Sequence, residues 1–255
     1  MISLFKNSRR TFIKNSSAAL IASLAIPEIV SSAFAVAKPK KITIQDGDVI
    51  LFQGDSITDW GRSRTQTDAN VSAGLGTGYP IFAAGEILNK NFEKNLQIFN
   101  RGVSGDKVFQ LADRWDKDCL DIKPNILSIL IGVNDFWAIA KHGYTGTIDT
   151  YRNDYVKLID RTKKALPNVK LIIGEPFAVI GVKEVDLKWY PKFNEYRQVA
   201  REVAEKNDIT FIPYQTIFDE AVKKAPGSYW TIDGVHPTIA GASLMAHAWL
   251  ETVKS

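Results

Sequence analysis

Five short, mainly apolar runs punctuate the chain: Val49 to Phe52, Leu96 to Phe99, Ile126 to Ile131, Val169 to Ile173 and Ile209 to Ile212. Each is four to six residues long and rich in Val, Ile, Leu and Phe, and none alternates strictly with polar residues. A strand with one wet face would alternate, so these runs are read as strands buried on both faces, as in a parallel sheet. Between them, Tyr79 to Leu88, Tyr151 to Leu166, Phe193 to Glu205 and Ile239 to Val253 carry apolar residues at spacings of three and four, which predicts amphipathic helices. Strand and helix signals in alternation imply a three-layer α/β/α sandwich around a mostly parallel five-stranded sheet. In such sheets ligands bind beyond the carboxyl ends of the strands, so the chemistry is to be sought directly after each apolar run.

The pattern occupies residues 38–255 and leaves nothing spare for a second domain. Residues 1–37 differ. A basic stretch with Lys6, Arg9, Arg10 and Lys14 precedes a mildly apolar stretch, Ala18 to Ile26, and then small-residue runs at Ala33-Phe34-Ala35 and Ala35-Val36-Ala37. That order is the layout of a cleavable export signal, and Ser8-Arg9-Arg10-Thr11-Phe12-Ile13-Lys14 resembles the twin-arginine motif. The expectation is a protein that is periplasmic or secreted. No cysteine lies near the cleavage region, which argues against a lipid anchor, and no later apolar stretch is long enough to span a bilayer.

Removing residues 1–35 takes away four basic residues and one acidic residue, so the formal charge falls from +4 to +1. The basic balance therefore belongs mostly to the signal, and no basic stripe with interleaved aromatics is left to bind nucleic acid. Cys119 is the single cysteine, so no intramolecular disulfide forms even in an oxidising compartment. No His-Glu-x-x-His or comparable ligand spacing points to a metal, and Gly74-Leu75-Gly76-Thr77-Gly78 lacks the strand and the Gly-Lys-Ser/Thr ending of a phosphate loop. It is read as a flexible loop near the site.

The residues after the apolar runs are unusual. The first run leads into Gly54-Asp55-Ser56, the second into Asn100-Arg101-Gly102, the third into Gly132-Val133-Asn134-Asp135. A serine at a strand-to-loop turn can present its hydroxyl to a neighbouring base. A strand-end glycine offers a close-lying N–H, and an asparagine amide is a second donor. Of the three histidines, His247 falls inside the last helix and His142 has no carboxylate within five residues, whereas His236 has Asp233 three residues before it in a Gly-containing loop. That spacing lets a carboxylate fix the imidazole tautomer.

Taken together, Gly54-Asp55-Ser56, Gly102, Asn134 and Asp233-x-x-His236 resemble, in order, the four blocks of the SGNH (GDSL-type) hydrolases, over about residues 46 to 250. Position 57 is Ile where the signature has Leu. The resemblance implies a flavodoxin-like SGNH hydrolase fold and a carboxylic ester hydrolase working through an acyl-enzyme. In it Ser56 is the nucleophile, His236 the base and Asp233 its orienting acid. Ser56, Gly102 and Asn134 form the oxyanion hole, and no cofactor or metal is needed. The absence of a Gly-x-Ser-x-Gly elbow separates the chain from the α/β-hydrolases.

Export favours carbohydrate or polysaccharide acetyl esters as the substrate. A lysophospholipase or thioesterase acting on longer chains and a silent carbohydrate-binding protein are the rivals. Trp60, Phe136, Trp137, Tyr229 and Trp230 flank the blocks and are read mainly as packing, with sugar stacking as the alternative. Arg62, Arg64 and Arg101 are read as solvated or paired on the surface, with contact to an acidic substrate as the alternative.

Overall fold

The computed structural model describes residues 26–35, 39–141 and 143–254, so the twin-arginine motif, Val36-Ala37 and His142 lie outside the described residues. The main sheet has five strands, β2 (Val49–Gly54), β3 (Gln97–Asn100), β4 (Ile126–Leu130), β5 (Lys170–Gly174) and β6 (Thr210–Ile212), in the order β3-β2-β4-β5-β6. Every pairing in it is parallel. The chain thus starts in the interior at β2, steps to one edge and returns past β2 to build the other side. This is the flavodoxin-like order, with its switch point beside β2.

Burial on both faces is what the apolar runs require. In register, Phe52 of β2 stands beside Ser128 of β4. On that face Phe52 meets Tyr79 of α4 (Tyr79–Lys90) edge-on at 5.6 Å and Trp249 of α11 (Ile239–Leu250) at 5.0 Å. The Trp249 indole N–H donates to the Ser128 hydroxyl at 3.0 Å, which satisfies a buried polar pair inside the layer. On the opposite face Gln53, one residue on, meets the Arg114 side chain at 3.0 Å. There α7 (Ile148–Ala165) packs between α5 (Val108–Asp113) and α8 (Lys192–Lys206).

The last helix departs from the expected element for a local reason. The last helix stops at Leu250, because Thr252 folds back to give both its N–H and its hydroxyl to Trp249 O, at 3.0 and 2.6 Å. The chain then turns extended, and β7 (Val253–Lys254) pairs in parallel with β1 (Ile42–Thr43). Residues 26–34, assigned by composition to the export signal, form a helix, α1, whose Ile29, Val30, Ala33 and Phe34 are buried in the domain's apolar cluster. No helix among the described residues is long and apolar enough to cross a membrane.

Candidate active site

Strand β2 ends at Gly54, and no larger residue would fit there. A Cβ on it would stand 2.3 Å from Leu130 O and 2.5 Å from the Thr58 hydroxyl. That close approach lets the chain turn into the short helix α2 (Ser56–Asp59), which Asp55 caps by accepting from Ile57 N–H at 3.0 Å. Ser56 is the first residue of the helix, and its hydroxyl is brought to the carboxyl edge of the sheet.

The partner arrives from the other end of the chain. Ile232 N–H donates to His236 O at 2.8 Å, and an isolated bridge joins Thr231 to Pro237, closing the loop that carries the histidine. Gly234 in this loop has φ +96, and a Cβ there would meet Val185 at 2.5 Å, so glycine is needed on both counts. Thr238 then caps α11 by accepting from Gly241 N–H at 3.2 Å.

The loop brings Asp233, His236 and Ser56 into one relay. Asp233 Oδ2 lies 2.7 Å from His236 Nδ1, and His236 Nε2 lies 2.8 Å from Ser56 Oγ. Asp233 Oδ1 accepts from the N–H groups of Val235 and His236 at 3.0 and 2.8 Å, so the acid is fixed to its own loop at both oxygens. Burial pushes the Asp233 carboxyl up, but the bonds from the His236 side chain and the two backbone N–H groups outweigh it and bring it down to about 2. The carboxylate therefore stays charged and selects the Nδ1–H tautomer, which leaves the Nε2 lone pair facing the Ser56 hydroxyl.

The expected oxyanion donors divide. Asn134 stands at the start of α6 (Val133–Lys141) and gives one amide hydrogen to Asp106 O at 3.2 Å, leaving the second available. Gly102 does not fit the expectation. Its N–H is consumed by Asn100 Oδ1 at 2.9 Å, and a Cβ there would sit 2.5 Å from Asp59 N. Gly102 is a packing glycine, required because β3 and the serine turn meet backbone to backbone. The glycine that opens onto the site is Gly105, with φ +88 and nothing within 4 Å of a Cβ placed on it. It lines a hollow of about 260 Å³ with Lys107, Asn134, Trp137 and Ala138. A second hollow, of about 470 Å³, is lined by Ser56, Trp60, Gly61, Thr77, Ser104 and His236. Ser104 and Gly105, adjacent in the chain, each line one of the two.

The turns are tied together by groups that the sequence reading had given other roles or none. Asp59 Oδ2 accepts from the N–H and hydroxyl of Ser104 at 2.9 and 2.7 Å. Asn100 gives its amide to Thr58 O and Leu75 O at 2.6 and 2.8 Å. Arg62 and Arg101 are buried rather than solvated, and their guanidinium groups satisfy loop carbonyls that have no partner in the sheet. Arg62 Nε donates to Gly102 O at 2.7 Å and Arg101 to Thr67 O at 2.8 Å. Arg64 stays at the surface, paired with Asp59 at 3.3 Å. Arg114 bonds Arg101 O, Gly54 O and Asp106, which links the ends of β2 and β3. The signal for these groups was position, directly after an apolar run, but which atom each would reach is set by the turns.

Two further carboxyls lie behind the site. Burial raises Asp55 to about 7 against the opposing bond from Ile57, and raises Asp135 to about 7 against the bond from Val108. Each keeps one oxygen, Oδ2, without a hydrogen-bond partner among the described residues.

The glycine segment after residue 73 runs along the serine turn, with Thr77 N–H on Trp60 O at 3.0 Å. It is packed rather than loose, since Cβ atoms on Gly76 and Gly78 would press on the backbone and side chain of residues 57–62. His247 lines a larger hollow of about 600 Å³ with side chains of α4 and α11 and with Ile26 and Pro27, and none of the relay residues lines it. Among the described residues no group of three or more His, Cys, Asp or Glu is arranged to hold a metal ion.

The profile of the GDSL-like Lipase/Acylhydrolase family matches residues 52–244. An acetylxylan esterase of Geobacillus stearothermophilus is 33% identical over 218 residues, covering 82% of this chain and 95% of that protein. Among solved structures, a GDSL-like protein from Parabacteroides merdae ATCC 43184 shares 46% identity with a TM-score of 0.82, over 83% of this chain and 98% of its own. The acetylxylan esterase Axe2 of Geobacillus stearothermophilus shares 31% with a TM-score of 0.75, over 84% of this chain and 100% of its own. A serine-to-alanine and an aspartate-to-alanine variant of that esterase are each described as a catalytic mutant.

Proposed function

The chain belongs to the GDSL-like lipase/acylhydrolase family and is an ester-bond hydrolase, and from that premise we propose that it removes short acyl groups, acetyl above all, from carbohydrate. The observation that carries the reading is the relay from Asp233 through His236 to Ser56, with both links within 2.8 Å.

In this reading Ser56 Oγ attacks the ester carbonyl while His236 Nε2 takes its proton, and the imidazolium keeps its Nδ1–H on Asp233. The negative oxygen of the tetrahedral intermediate is held by the N–H groups of Ser56 and Gly105 and by the Asn134 amide. His236 returns the proton to the departing sugar oxygen, leaving acetyl on Ser56. Water, deprotonated by the same imidazole, then releases acetate.

Short chains are favoured by the lining at Ser56. Thr77, Ser104 and Gly61 line the hollow at Ser56 with small and polar groups, with Trp60 as its one large apolar side chain. Carbohydrate is favoured by the acetylxylan esterase relatives and by the export signal read in residues 1–37. We infer from that signal that the enzyme works outside the cytoplasm, where polysaccharide esters are accessible.

The test compares the protein with its Ser56→Ala variant on p-nitrophenyl acetate, longer p-nitrophenyl esters and acetylated xylooligosaccharide. Acetate release from the sugar that vanishes in the variant supports the reading. Activity confined to long chains would replace it with a lysophospholipase or thioesterase. Sugar binding without turnover in either protein would leave a silent binding protein.

A further inference from the structure

The serine's own turn carries a residue that the hydrolysis scheme leaves unused. Trp60 ends α2 with φ 26 and ψ 63, a left-handed conformation that a bulky aromatic residue rarely adopts. The conformation is fixed from several sides. Trp60 N–H donates to Ser56 O at 3.0 Å, and Trp60 O accepts from both the N–H and the hydroxyl of Thr77, each at 3.0 Å. Gly78 packs so closely that a Cβ on it would stand 2.9 Å from the Trp60 Cβ.

The strained backbone determines where the indole points. It lies flat on the His236 imidazole, with ring centroids 5.1 Å apart and planes inclined by 24°. Trp137 approaches the same imidazole only at 6.5 Å and 48°. Rotation of an imidazole about its Cβ–Cγ bond is soft, with broad wells. The bond to Asp233 fixes one ring nitrogen but leaves the plane able to rock about the Nδ1–Oδ2 line, and such rocking swings Nε2 away from Ser56. A flat ring against the face opposes that motion. It also presents its negative π-face to the cation formed when Ser56 gives up its proton.

We propose that Trp60 is a positioning residue of the hydrolysis, holding the His236 imidazole in the plane that joins Asp233 to Ser56 and stabilising it as imidazolium. The inference rests on the esterase reading above. A different role is open to a half-buried ring lining the serine hollow, a platform for the substrate sugar, and kinetics separate the two.

The experiment measures kcat and KM for wild type, Trp60→Gly, Trp60→Phe and Ser56→Ala on p-nitrophenyl acetate and on acetylated xylooligosaccharide, with melting curves for each. Glycine adopts φ 26 without strain, so Trp60→Gly removes the ring while keeping the turn. Positioning predicts that Trp60→Gly lowers kcat about tenfold on both substrates with KM changed less than about twofold, and that Trp60→Phe recovers most of the loss. A rise in KM on the sugar ester alone would make Trp60 a platform and overturn the inference, as would a wild-type kcat in Trp60→Gly. Equal losses in the glycine and phenylalanine variants, tracking lowered melting temperatures, would reduce it to packing. If folded wild type turns over neither substrate, the esterase reading itself fails and this inference falls with it.

Discussion

At the scale of single residues, the donors and acceptors around Ser56 have separable duties. Ser56→Ala and His236→Ala remove the proposed nucleophile and base, and each is expected to leave almost no turnover of p-nitrophenyl acetate. Asn134→Ala removes one proposed oxyanion donor together with its bond to Asp106 O, and should lower kcat by roughly 10²–10³ with only a small drop in melting temperature; normal kinetics would exclude Asn134 from the hole. The two glycines offer a sharper contrast. A methyl at Gly102 would stand 2.5 Å from Asp59 N, so Gly102→Ala should show its defect as a lowered melting temperature. A methyl at Gly105 meets nothing within 4 Å but is strained at φ +88, so Gly105→Ala should fold and lose kcat as its N–H turns away. The reverse pattern would return the oxyanion role to Gly102. Sequence spacing could not choose between these glycines, since both follow the same apolar run. The choice depends on Asn100, whose Oδ1 already occupies the Gly102 N–H. The residues of the relay, by contrast, could be picked out, because His142 has no carboxylate within five residues and His247 falls inside the last helix, which left His236 with Asp233.

At the scale of elements, strand ends set the geometry of the site. All five strands were visible as apolar runs, because burial on both faces leaves a composition signal that does not depend on partners. Their limits shift by a residue or two, as where β3 and β6 each begin one residue later than the apolar run, since ladder bonds rather than side chains decide where a strand stops. The C-terminal helix shows the other kind of miss. Val253 continues its apolar spacing, yet Thr252 turns the chain into β7, whose partner β1 is about two hundred residues away and invisible to local periodicity. The junction of β2 and α2 makes a prediction at this scale. Gly54→Ala places a methyl against Leu130 O on the neighbouring strand, so either β4 shifts or the serine turn does. Such overpacking costs on the order of 1–3 kcal/mol, and thermal unfolding should show it together with a loss of kcat that exceeds the loss of KM. Wild-type stability and rate in Gly54→Ala would mean that the turn can relax freely.

At the scale of the whole molecule, the site is backed by buried acids whose protonation makes stability depend on pH. No sequence pattern announces this. Asp55 and Asp135 look like turn residues, and their environment appears only when β2, β4 and the helices close over them. Both are raised by burial to about 7. An acid whose folded pKa exceeds its unfolded value, about 4, binds its proton more tightly in the folded state. Its effect is to favour folding below about pH 4, with that advantage lost as pH rises through 7. Asp233, held at about 2, acts in the opposite sense: its contribution is full above about pH 4 and is lost as pH falls towards 2. His247, lowered by burial, also loses stability as pH falls, so a bare melting profile would mix these terms. Substituting one acid isolates it. Asp135→Asn keeps an oxygen for the Val108 N–H, which Asp135 Oδ1 accepts at 3.2 Å, and removes the titration. Relative to wild type, this variant should gain stability on the order of 1–3 kcal/mol between about pH 5 and pH 8, because only the wild type must ionise a buried carboxyl over that range. Melting curves of both proteins at the two pH values measure the gain directly. An identical difference at both would show that Asp135 does not change charge in this window.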